Sequence, residues 1–324
     1  MADVARLAGV APITVSRVIN NHPTVTNETR ARVQHAIDEL GYRANMAARA
    51  LAGGRSRVIG VIGIETIGFY GPSLTLFGIE AAARTAGYML NFVTVREPTV
   101  DELRSAIEYL RNAHVEGIVI VAPVHQAVRA LGTIHPDLPL VVTSGIDSEN
   151  ATVSINQVAG ARLATAHLLD LGHQTVHHVH GPKGWLDADA RAHGWRTELR
   201  SRKCRVPRAL DGDWSSRSGY VAGRKLAEDP SVTAIFVAND QMALGVMLAL
   251  SDSQRKVPAQ VSVVGFDATA ESEYFSPPLT TVRQDLSEVG RRSLDVLLRV
   301  IAGGDSQHII IEPTLVVRAS TTAV

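Results

Sequence analysis

Beyond residue 57, short apolar runs alternate with stretches of helical periodicity. The runs are rich in valine and isoleucine, which is typical of strands buried on both faces of a parallel sheet. The predicted strands are 58–64, 88–95, 117–121, 140–143, 176–180, 234–237, 261–265 and 309–311. Predicted helices include 73–86, 100–113, 241–250 and 285–302. Because one sheet of usual width does not hold so many strands, the pattern predicts two α/β lobes.

The first forty residues follow another pattern, that of three short amphipathic helices. Gly9 suits a sharp turn with positive φ between the first two helices. Pro12 can open the second helix, because its missing N–H would be unpaired there anyway. Thr26 is a predicted N-cap for the third helix, over 27–40. Predicted buried positions are Val4, Leu7 and Ala8, then Val15, Val18 and Ile19, then Ala31, Val33, Ala36, Ile37 and Leu40.

The outward face of the second helix carries groups able to meet base edges and phosphates in the major groove of DNA. This face comprises Ile13, Thr14, Ser16, Arg17 and Asn20. An ordinary helical hairpin with a polar surface explains the segment equally well when it is taken alone. The third helix favours a helix-turn-helix, since three short helices with a basic surface make a compact DNA-binding unit.

Charge separates this segment from the rest of the chain. The 324 residues contain 32 Lys and Arg against 32 Asp and Glu. Residues 1–57 hold eight arginines against four acidic residues, and the remainder holds 24 basic against 28 acidic residues. The net charges are therefore +4 and −4, and the basic part is the one that a phosphate-binding module needs.

The amino-acid composition limits the classes of protein to which the chain can belong. A hydrophobic content of 45% over 324 residues is enough for a small domain and a large core. The one cysteine, Cys204, has no partner for an internal disulfide, and no apolar run is long enough to span a bilayer. We therefore expect a cytoplasmic protein that makes no membrane contact.

The motif DVARLAGVAPITVSRVIN, continued by VTNETRARVQHAIDELGYRAN and ALAG, resembles the DNA-binding head of the lac repressor family of bacterial transcription regulators. In that family the leucine of Ala-Leu-Ala-Gly, here Leu51, enters the minor groove at the operator centre. The DNA-binding residues implied by the resemblance are Ile13, Ser16, Arg17, Asn20, Thr24, Thr26, Thr29, Tyr42, Asn45, Ala48 and Leu51.

Residues 45–52 favour a helix but contain few core residues, and Gly53-Gly54 ends the stretch. A helix of about two turns is marginal in water, so composition alone also allows a flexible linker. The resemblance implies a hinge helix that becomes ordered on DNA and against a dimer partner. We expect a helix-turn-helix domain at 1–44, a hinge helix and linker at 45–57, and an effector-binding and dimerisation domain at 58–324.

The resemblance continues through the segments GPS, RAHGW, GDWS, VANDQMALG, SVVGFD and PPLTTVRQD. It implies an α/β bilobed body similar to periplasmic binding proteins, with two parallel doubly wound sheets. The last part of the chain would cross back to complete the first lobe, giving lobes at about 58–155 plus 286–313 and about 156–285 plus 314–324. The effector-binding residues implied are Ser73, Arg191, Trp214, Asn239, Asp267 and Gln284.

Ser73, Arg191, Asn239 and Asp267 come after predicted strands, while Trp214 follows Leu210 and Gln284 follows 277–281. Ligands of open α/β sheets bind beyond the carboxyl ends of the strands. A sugar has hydroxyls for carboxylate, guanidinium and amide partners, and an apolar face for a ring such as Trp214. Structural explanations also exist, since Ser73 and Asn239 can cap helices and Trp185 can lie on the lobe surface. By an approximate alignment, this sequence departs from the family's polar pocket residues at Val121, Ser144 and Ile155.

Other chemistries find less support. His177, His178 and His180 suggest a metal, but strand alternation puts only two on one face, and no carboxylate or thiol has the partner spacing. The sequence contains no Gly-x-Ser-x-Gly motif, no Walker loop and no dinucleotide-binding glycine motif. We therefore expect no enzyme, no cofactor and no metal site.

The sequence thus predicts a homodimeric transcriptional repressor of carbohydrate-utilisation genes, which a sugar effector releases from a pseudo-palindromic operator in double-stranded DNA. Dimerisation is expected because half-sites about one helical turn apart need two recognition helices. The protein would be cytoplasmic and associated with the nucleoid. Two alternatives stay open: a regulator of the same fold with a purine-like corepressor, and a sugar-binding protein without a regulatory role.

Overall fold

The computed structural model describes residues 1–19, 22–42, 56–64, 70–134, 136–143 and 150–324. The chain divides into two compact units, Met1–Arg57, called the head, and Val58–Val324, called the body. Several predicted features lie outside the described residues: the hinge helix, the DNA contacts Asn20, Asn45, Ala48 and Leu51, and the pocket position Ser144.

The described part of the head contains the helices α1 (Ala2–Leu7), α2 (Pro12–Ile19) and α3 (Asn27–Glu39). Its buried centre is formed by Val4, Ala5, Ala8, Val15, Val18, Val33 and Ala36. Gly9 turns the chain between α1 and α2 at a φ of +62°, which residues with a Cβ rarely adopt. The Thr26 hydroxyl accepts a hydrogen bond from the Thr29 N–H at 3.3 Å. The predicted helices, turn and N-cap are confirmed.

Three apolar residues predicted to face the core of the head are exposed: Leu7, Ala31 and Leu40. Leu7 lies beside the buried face that Val4 and Ala8 define on α1. Ala31 lies on the side of α3 away from its buried valine, and Leu40 follows the last helical residue. The buried faces of these short helices are therefore narrower than predicted.

Arg30 joins α3 to the end of α2. Its guanidinium donates to the carbonyl oxygen of His22 at 3.1 Å and to that of Val18 at 3.4 Å. Val18 carries one of the last carbonyls of α2, where a positive charge is favourable. Arg30 thus stabilises the packing of α2 against α3.

The body is built on two six-stranded sheets with helices between the strands. Its strands are β1 (Val58–Ile64), β2 (Met89–Val95), β3 (Gly117–Val121), β4 (Leu140–Val142), β5 (Ala151–Ile155), β6 (His177–His180), β7 (Leu210–Asp211), β8 (Ala234–Val237), β9 (Ser262–Asp267), β10 (Thr280–Arg283), β11 (His308–Ile311) and β12 (Thr314–Val316). Its helices are α4 (Tyr70–Thr85), α5 (Val100–Asn112), α6 (His125–Leu131), α7 (Gln157–Asp170), α8 (Leu186–Ser201), α9 (Ser216–Ala227), α10 (Asp240–Asp252) and α11 (Leu286–Ile301), with a 3-10 turn at Ala270–Tyr274. Among the described helices, none is long and apolar enough to cross a membrane.

The sheet of the first lobe has the strand order β11-β5-β4-β3-β1-β2 and its described pairings are all parallel. The sheet of the second lobe has the order β12-β10-β9-β8-β6-β7. There β12 pairs antiparallel with β10, and the other described pairings are parallel, so both sheets are predominantly parallel as predicted. Only two residues separate β11 from β12. The chain therefore enters the second sheet at the carboxyl ends of its parallel strands, and β12 runs in the opposite direction to β10.

Both faces of the inner strands of each sheet are buried. In β1, Ile59 and Val61 belong to one core cluster, and Ile62 and Ile64 belong to another. The second lobe has the same two-sided arrangement around β8 and β9. Burial on both faces explains why these strands are continuous apolar runs in the sequence.

Agreement with the predicted elements depends on strand composition. The predicted bounds of β1, β3 and β8 are confirmed, and those of the other predicted strands differ by one or two residues at an end. The strands β5, β7, β10 and β12 were not predicted, because β7 has two residues and the other three contain serine, threonine or arginine. Helix α4 begins at Tyr70 instead of near Ser73, so Ser73 lies inside the helix and does not cap it.

The chain crosses between the lobes three times, from β5 to α7, from β10 to α11 and from β11 to β12. Hydrogen bonds join these crossings to one another. Asn156 Nδ2 donates to Glu312 Oε1 at 2.9 Å, which links the first crossing to the third. Gln157 Nε2 donates to Gln284 Oε1 at 2.7 Å, which links the first to the second.

Helices α4 and α11 pack in the first lobe with their backbones in contact. A Cβ at Gly290 would lie 2.1 Å from the carbonyl oxygen of Thr75. A Cβ at Gly78 would lie 2.2 Å from the carbonyl oxygen of Ser287. Neither glycine therefore leaves room for a side chain, and the close approach fixes α4 against α11.

Gly290→Ala is expected to lower the free energy of unfolding by about 1–3 kcal/mol, because the added methyl forces α11 away from α4. Gly132→Ala is the matched control, since a Cβ at Gly132 would meet nothing closer than 3.5 Å and its φ is −63°. Urea unfolding followed by circular dichroism measures both variants. Equal unfolding free energies for Gly290→Ala and the wild type would contradict the backbone contact.

Candidate functional site

A cavity lies between the two lobes of the body, at the carboxyl ends of strands from both sheets. The wall from the first lobe is largely apolar. It includes Val121, Val153, Ile155, Leu286 and Val289. The wall from the second lobe is polar and aromatic, and its residues follow β6, β7, β8 and β10, end β9 or begin α7 and α8. The position is the one expected for a ligand of open parallel sheets.

Four polar side chains of the cavity form a closed ring of contacts. Arg191 Nε donates to Gln157 Oε1 at 2.9 Å, and Gln157 in turn donates to Gln284. Gln284 Nε2 donates to Asp267 Oδ1 at 2.6 Å, and Arg191 Nη1 lies 3.4 Å from the same oxygen. The four residues are called the polar ring. All are nearly buried, so the ring supplies the partners that burial demands.

Arg191 is held by further contacts. Its Nη1 donates to the carbonyl oxygen of Ala238, and its guanidinium carbon lies 3.8 Å from the centre of the Phe266 ring and 5.5 Å from that of the Trp214 ring. Guanidinium groups stack favourably on aromatic faces. Arg191 is therefore a fixed donor in the cavity wall.

Trp214 provides an aromatic surface to the cavity. Its φ is +72°, its ring covers Gly181, and it meets the Trp185 ring edge-on at 5.6 Å. Its buried Nε1 has no acceptor among the described residues. Trp185 also lines the cavity, so it does not merely lie on the lobe surface.

Asn239 supports this arrangement. Its Nδ2 donates to the Trp214 carbonyl at 3.1 Å, and its Oδ1 accepts from the Met242 N–H at 2.9 Å, which caps α10. Asn239 also lines the cavity. The helix-capping explanation considered from the sequence is therefore realised, and the same side chain positions Trp214.

Five of the six predicted effector-binding residues line this one cavity: Arg191, Trp214, Asn239, Asp267 and Gln284. Ser73 is not among the described lining residues, and Thr75 on the same helix is. This change follows from the earlier start of α4. Gln157 was missed because β5, which precedes it, was not predicted as a strand.

Asp187 is a further carboxylate that the sequence prediction missed. It lies in the first turn of α8, lines the cavity and has no hydrogen-bond or ion-pair partner among the described residues. Burial raises the pKa of its carboxyl, and the charge of Arg191 opposes that rise. Its position in the sequence, two residues after Trp185 and shortly after the strand predicted at 176–180, is the feature from which it could have been identified.

Buried carboxyls with raised pKa lie in and behind the cavity wall. Burial raises the pKa of Asp267 to about 6, against the effect of Arg191. Burial and the charge of Asp267 raise the pKa of Asp240 to about 7. Asp240 accepts from the Thr281 hydroxyl at 2.6 Å and from the Thr269 N–H at 2.8 Å.

The two lobes contact each other beside the cavity. The His125 N–H donates to the Gly184 carbonyl, and the Leu186 N–H donates to the Pro123 carbonyl, both at 3.0 Å. His125 Nε2 lies 2.9 Å from Asp189 Oδ2 in the second lobe. These contacts hold the lobes together at one side of the cavity.

The histidines that suggested a metal have other surroundings. His177 and His178 are buried in the second lobe, and His178 stacks on Phe236 at 4.8 Å. Burial lowers the pKa of His178 to about 3. His180 lies 3.4 Å from Asp189. In the described ranges, no group of three or more His, Cys, Asp or Glu residues is arranged to hold a metal ion.

The predicted DNA contacts of the head differ in exposure. Arg17 and Ile13, the latter 60% exposed, project from α2, and Ser16 between them is half-buried. Tyr42 packs partly against the core of the head. The three threonines are engaged in local hydrogen bonds: Thr24 with His22, and Thr26 with Thr29.

Comparison with known proteins decides the family. Residues 1–45 match "Bacterial regulatory proteins, lacI family", and residues 165–321 match "Periplasmic binding protein-like domain". The chain is 35% identical over 325 residues to the lactose operon repressor of Escherichia coli strain K12, across 99% of this chain and 89% of that protein. It belongs to the lacI family of bacterial regulatory proteins.

Other relatives within the lacI family are matched over nearly their full length. The chain is 33% identical over 324 residues to the HTH-type transcriptional repressor PurR of Vibrio parahaemolyticus, across 98% of this chain and 96% of that protein. A solved structure of the lac repressor dimer bound to operator and the anti-inducer ONPF superimposes with a TM-score of 0.88 at 33% identity, covering 99% of this chain and 98% of the other. The predicted fold class, a helix-turn-helix head with a periplasmic-binding-protein-like body, is confirmed.

The pH dependence of stability tests the buried carboxyl of Asp240. Its pKa of about 7 in the folded protein exceeds that of the unfolded chain, so the folded state loses stability as the pH rises from 4 to 8. Asp240→Asn removes the titration and keeps both hydrogen bonds, because the amide can accept from Thr269 and donate to Thr281. Between pH 4 and 8 we expect the free energy of unfolding of the wild type to fall by roughly 2–4 kcal/mol more than that of the variant.

Urea unfolding at several pH values measures this difference. Asp305→Asn is the control for the loss of one carboxyl, since Asp305 is exposed. Parallel pH profiles for the wild type and Asp240→Asn would show that Asp240 ionises normally.

Proposed function

We propose that this lacI-family protein is a sequence-specific transcriptional repressor that a sugar releases from its operator. The observation that carries the proposal is the polar ring beside Trp214, in a cavity between two lobes. The hydroxyls of a sugar can exchange hydrogen bonds with the ring, and its C–H face can pack on the tryptophan. Charged partners strengthen such hydrogen bonds and make them more selective.

The DNA-binding part of the proposal assigns α2 as the recognition helix. It takes the head as 1–44, the hinge as 45–57 and the effector-binding body as 58–324, with the lobe bounds expected from the sequence. The protein would bind a pseudo-palindromic operator as a homodimer, since each recognition helix reads one half-site. The solved relative that is a dimer on an operator supports this part. The assigned DNA contacts are Ile13, Ser16, Arg17, Asn20, Thr24, Thr26, Thr29, Tyr42, Asn45, Ala48 and Leu51.

The crossings between the lobes connect the cavity to the rest of the protein. Gln157 and Gln284 belong both to the polar ring and to two of the three crossings. A ligand that takes over their hydrogen bonds therefore acts directly on the connections between lobes. It loosens DNA binding by the difference in its affinity for the free and the DNA-bound states.

The physiological role that fits this chemistry is repression of carbohydrate-utilisation genes, in the cytoplasm at the nucleoid, by a regulator that is not an enzyme. A second candidate is a corepressor-dependent regulator, and the relative PurR favours it. A purine could stack on Trp214 and Trp185. The two candidates predict opposite effects of the ligand on operator binding, since an inducer weakens it and a corepressor strengthens it.

Arg17→Ala tests the recognition helix. If Arg17 contacts a base, the variant loses about 1–3 kcal/mol of binding free energy on operator DNA and less on random DNA. Fluorescence anisotropy measures both, with operator sites selected by the wild type from a random-sequence pool. Arg30→Ala is a folding control within the head, because it removes a packing contact of α2. If Arg17→Ala binds the operator with unchanged affinity, the assignment of α2 as the recognition helix is wrong.

Asp267→Asn and Arg191→Lys test the effector site. Each variant should bind operator as the wild type does, because the head is untouched. Each should need at least about tenfold more sugar for release, because Asp267→Asn removes a charged acceptor and Arg191→Lys removes the fixed planar donors of the guanidinium. The measurement is operator anisotropy titrated with the sugar that raises the melting temperature most.

Glu271→Gln is the control for these two variants, since Glu271 is exposed and does not line the cavity. Normal release of both site variants would put the effector elsewhere. Tighter operator binding by the wild type in the presence of its ligand would identify a corepressor.

A further inference from the structure

The charges that line the cavity do not balance. Among the described residues, three charged ones line it: Arg191, Asp267 and Asp187. Arg191 lies 3.4 Å from Asp267, and its Nε and Nη1 also donate to Gln157 and to the Ala238 carbonyl. Asp187 has no partner among the described residues. One guanidinium therefore serves two carboxylates, and the described lining carries one negative charge in excess.

Arg191 is the cation whose charge acts on Asp187, and it is already paired with Asp267. The facing wall of the first lobe is apolar apart from a few hydroxyls, such as those of Thr75 and Thr143. Lys183 is close in sequence but lies 3.0 Å from Asp211. The parts of the body outside the described residues, 65–69, 135 and 144–149, contain no lysine or arginine. The first-turn N–H groups of α8 favour an anion but do not neutralise it.

An uncompensated carboxylate in a cavity is costly unless it binds a proton or a cation. The raised pKa of Asp187 expresses this cost. A hydroxyl can donate one hydrogen bond to the carboxylate and leaves its charge in place. An ammonium group donates up to three and neutralises the charge, and such charge-assisted bonds are about twice as strong as neutral ones.

We propose, on the basis of the function proposed above, that Asp187 determines specificity for a hexosamine, whose ammonium group it binds while the sugar hydroxyls exchange hydrogen bonds with the polar ring. Asp187 and Asp267 line the same cavity, and the charge of Asp187 contributes to the raised pKa of Asp267. The apolar wall from the first lobe faces the C–H groups of the same sugar. The cavity thus selects a polar cation with an apolar side.

Isothermal titration calorimetry at pH 7 tests the proposal with the full-length protein. The probes are glucosamine, galactosamine and mannosamine, their N-acetyl derivatives, which carry no charge, and the parent hexoses. At least one amine should bind about tenfold more tightly than its N-acetyl derivative and its parent hexose. Asp187→Asn should bring these affinity ratios close to one, because it keeps the shape and removes the charge.

Glu271→Gln is the matched control and should keep the preference for the amine. Asp187→Ser is a second variant for the case that Asp187→Asn does not fold, and thermal melting checks both. The proposal is overturned if no amine binds, if a neutral form binds as tightly as its amine, or if the preference survives in a folded Asp187 variant. The function proposed above stands if a neutral hexose binds and releases operator. It fails together with this inference if no sugar binds and a purine strengthens operator binding.

Discussion

The buried guanidinium of Arg191 is the group on which the arrangement of the body depends. A buried cation is tolerated only where its charge and its N–H groups find partners. The chain brings those partners from separate elements: Gln157 from the start of α7, the Ala238 carbonyl after β8, and Phe266 and Asp267 from β9. The elements that meet at Arg191 are therefore those whose ends form the cavity, and the site and the packing of the second lobe share one constraint.

The predictability of the fold follows from how each strand is buried. β1, β3 and β8 are buried on both faces, so their sequences are unbroken apolar runs whose bounds could be predicted. β5 and β10 are equally buried, but they contain polar residues whose partners lie far away in sequence. Thr281 in β10, for instance, donates to Asp240. Such long-range hydrogen bonds form only in the folded chain, so the periodicity of the sequence does not predict them.

The same limit applies to the candidate site. Arg191, Trp214, Asp267 and Gln284 could be placed in one pocket from the family resemblance, and Arg191 and Asp267 also from their positions after predicted strands; all four line one cavity. Asp187 could not be recognised in this way, because its significance is that the one guanidinium of the described lining is already paired with Asp267. The role of Asn239 was also ambiguous in sequence, since a helix cap and a cavity-lining residue require the same amide.

The polar ring is complete without a ligand, and this limits the binding free energy that a ligand in the cavity gains from it. A ligand does not meet four unmatched groups, because Arg191, Gln157, Gln284 and Asp267 already satisfy one another. Each new hydrogen bond to the ring is an exchange with an existing one, so its net contribution is small. Affinity then rises mainly through groups outside the ring, and changing those groups can alter the ligand concentration needed for binding while the ring keeps its own hydrogen bonds.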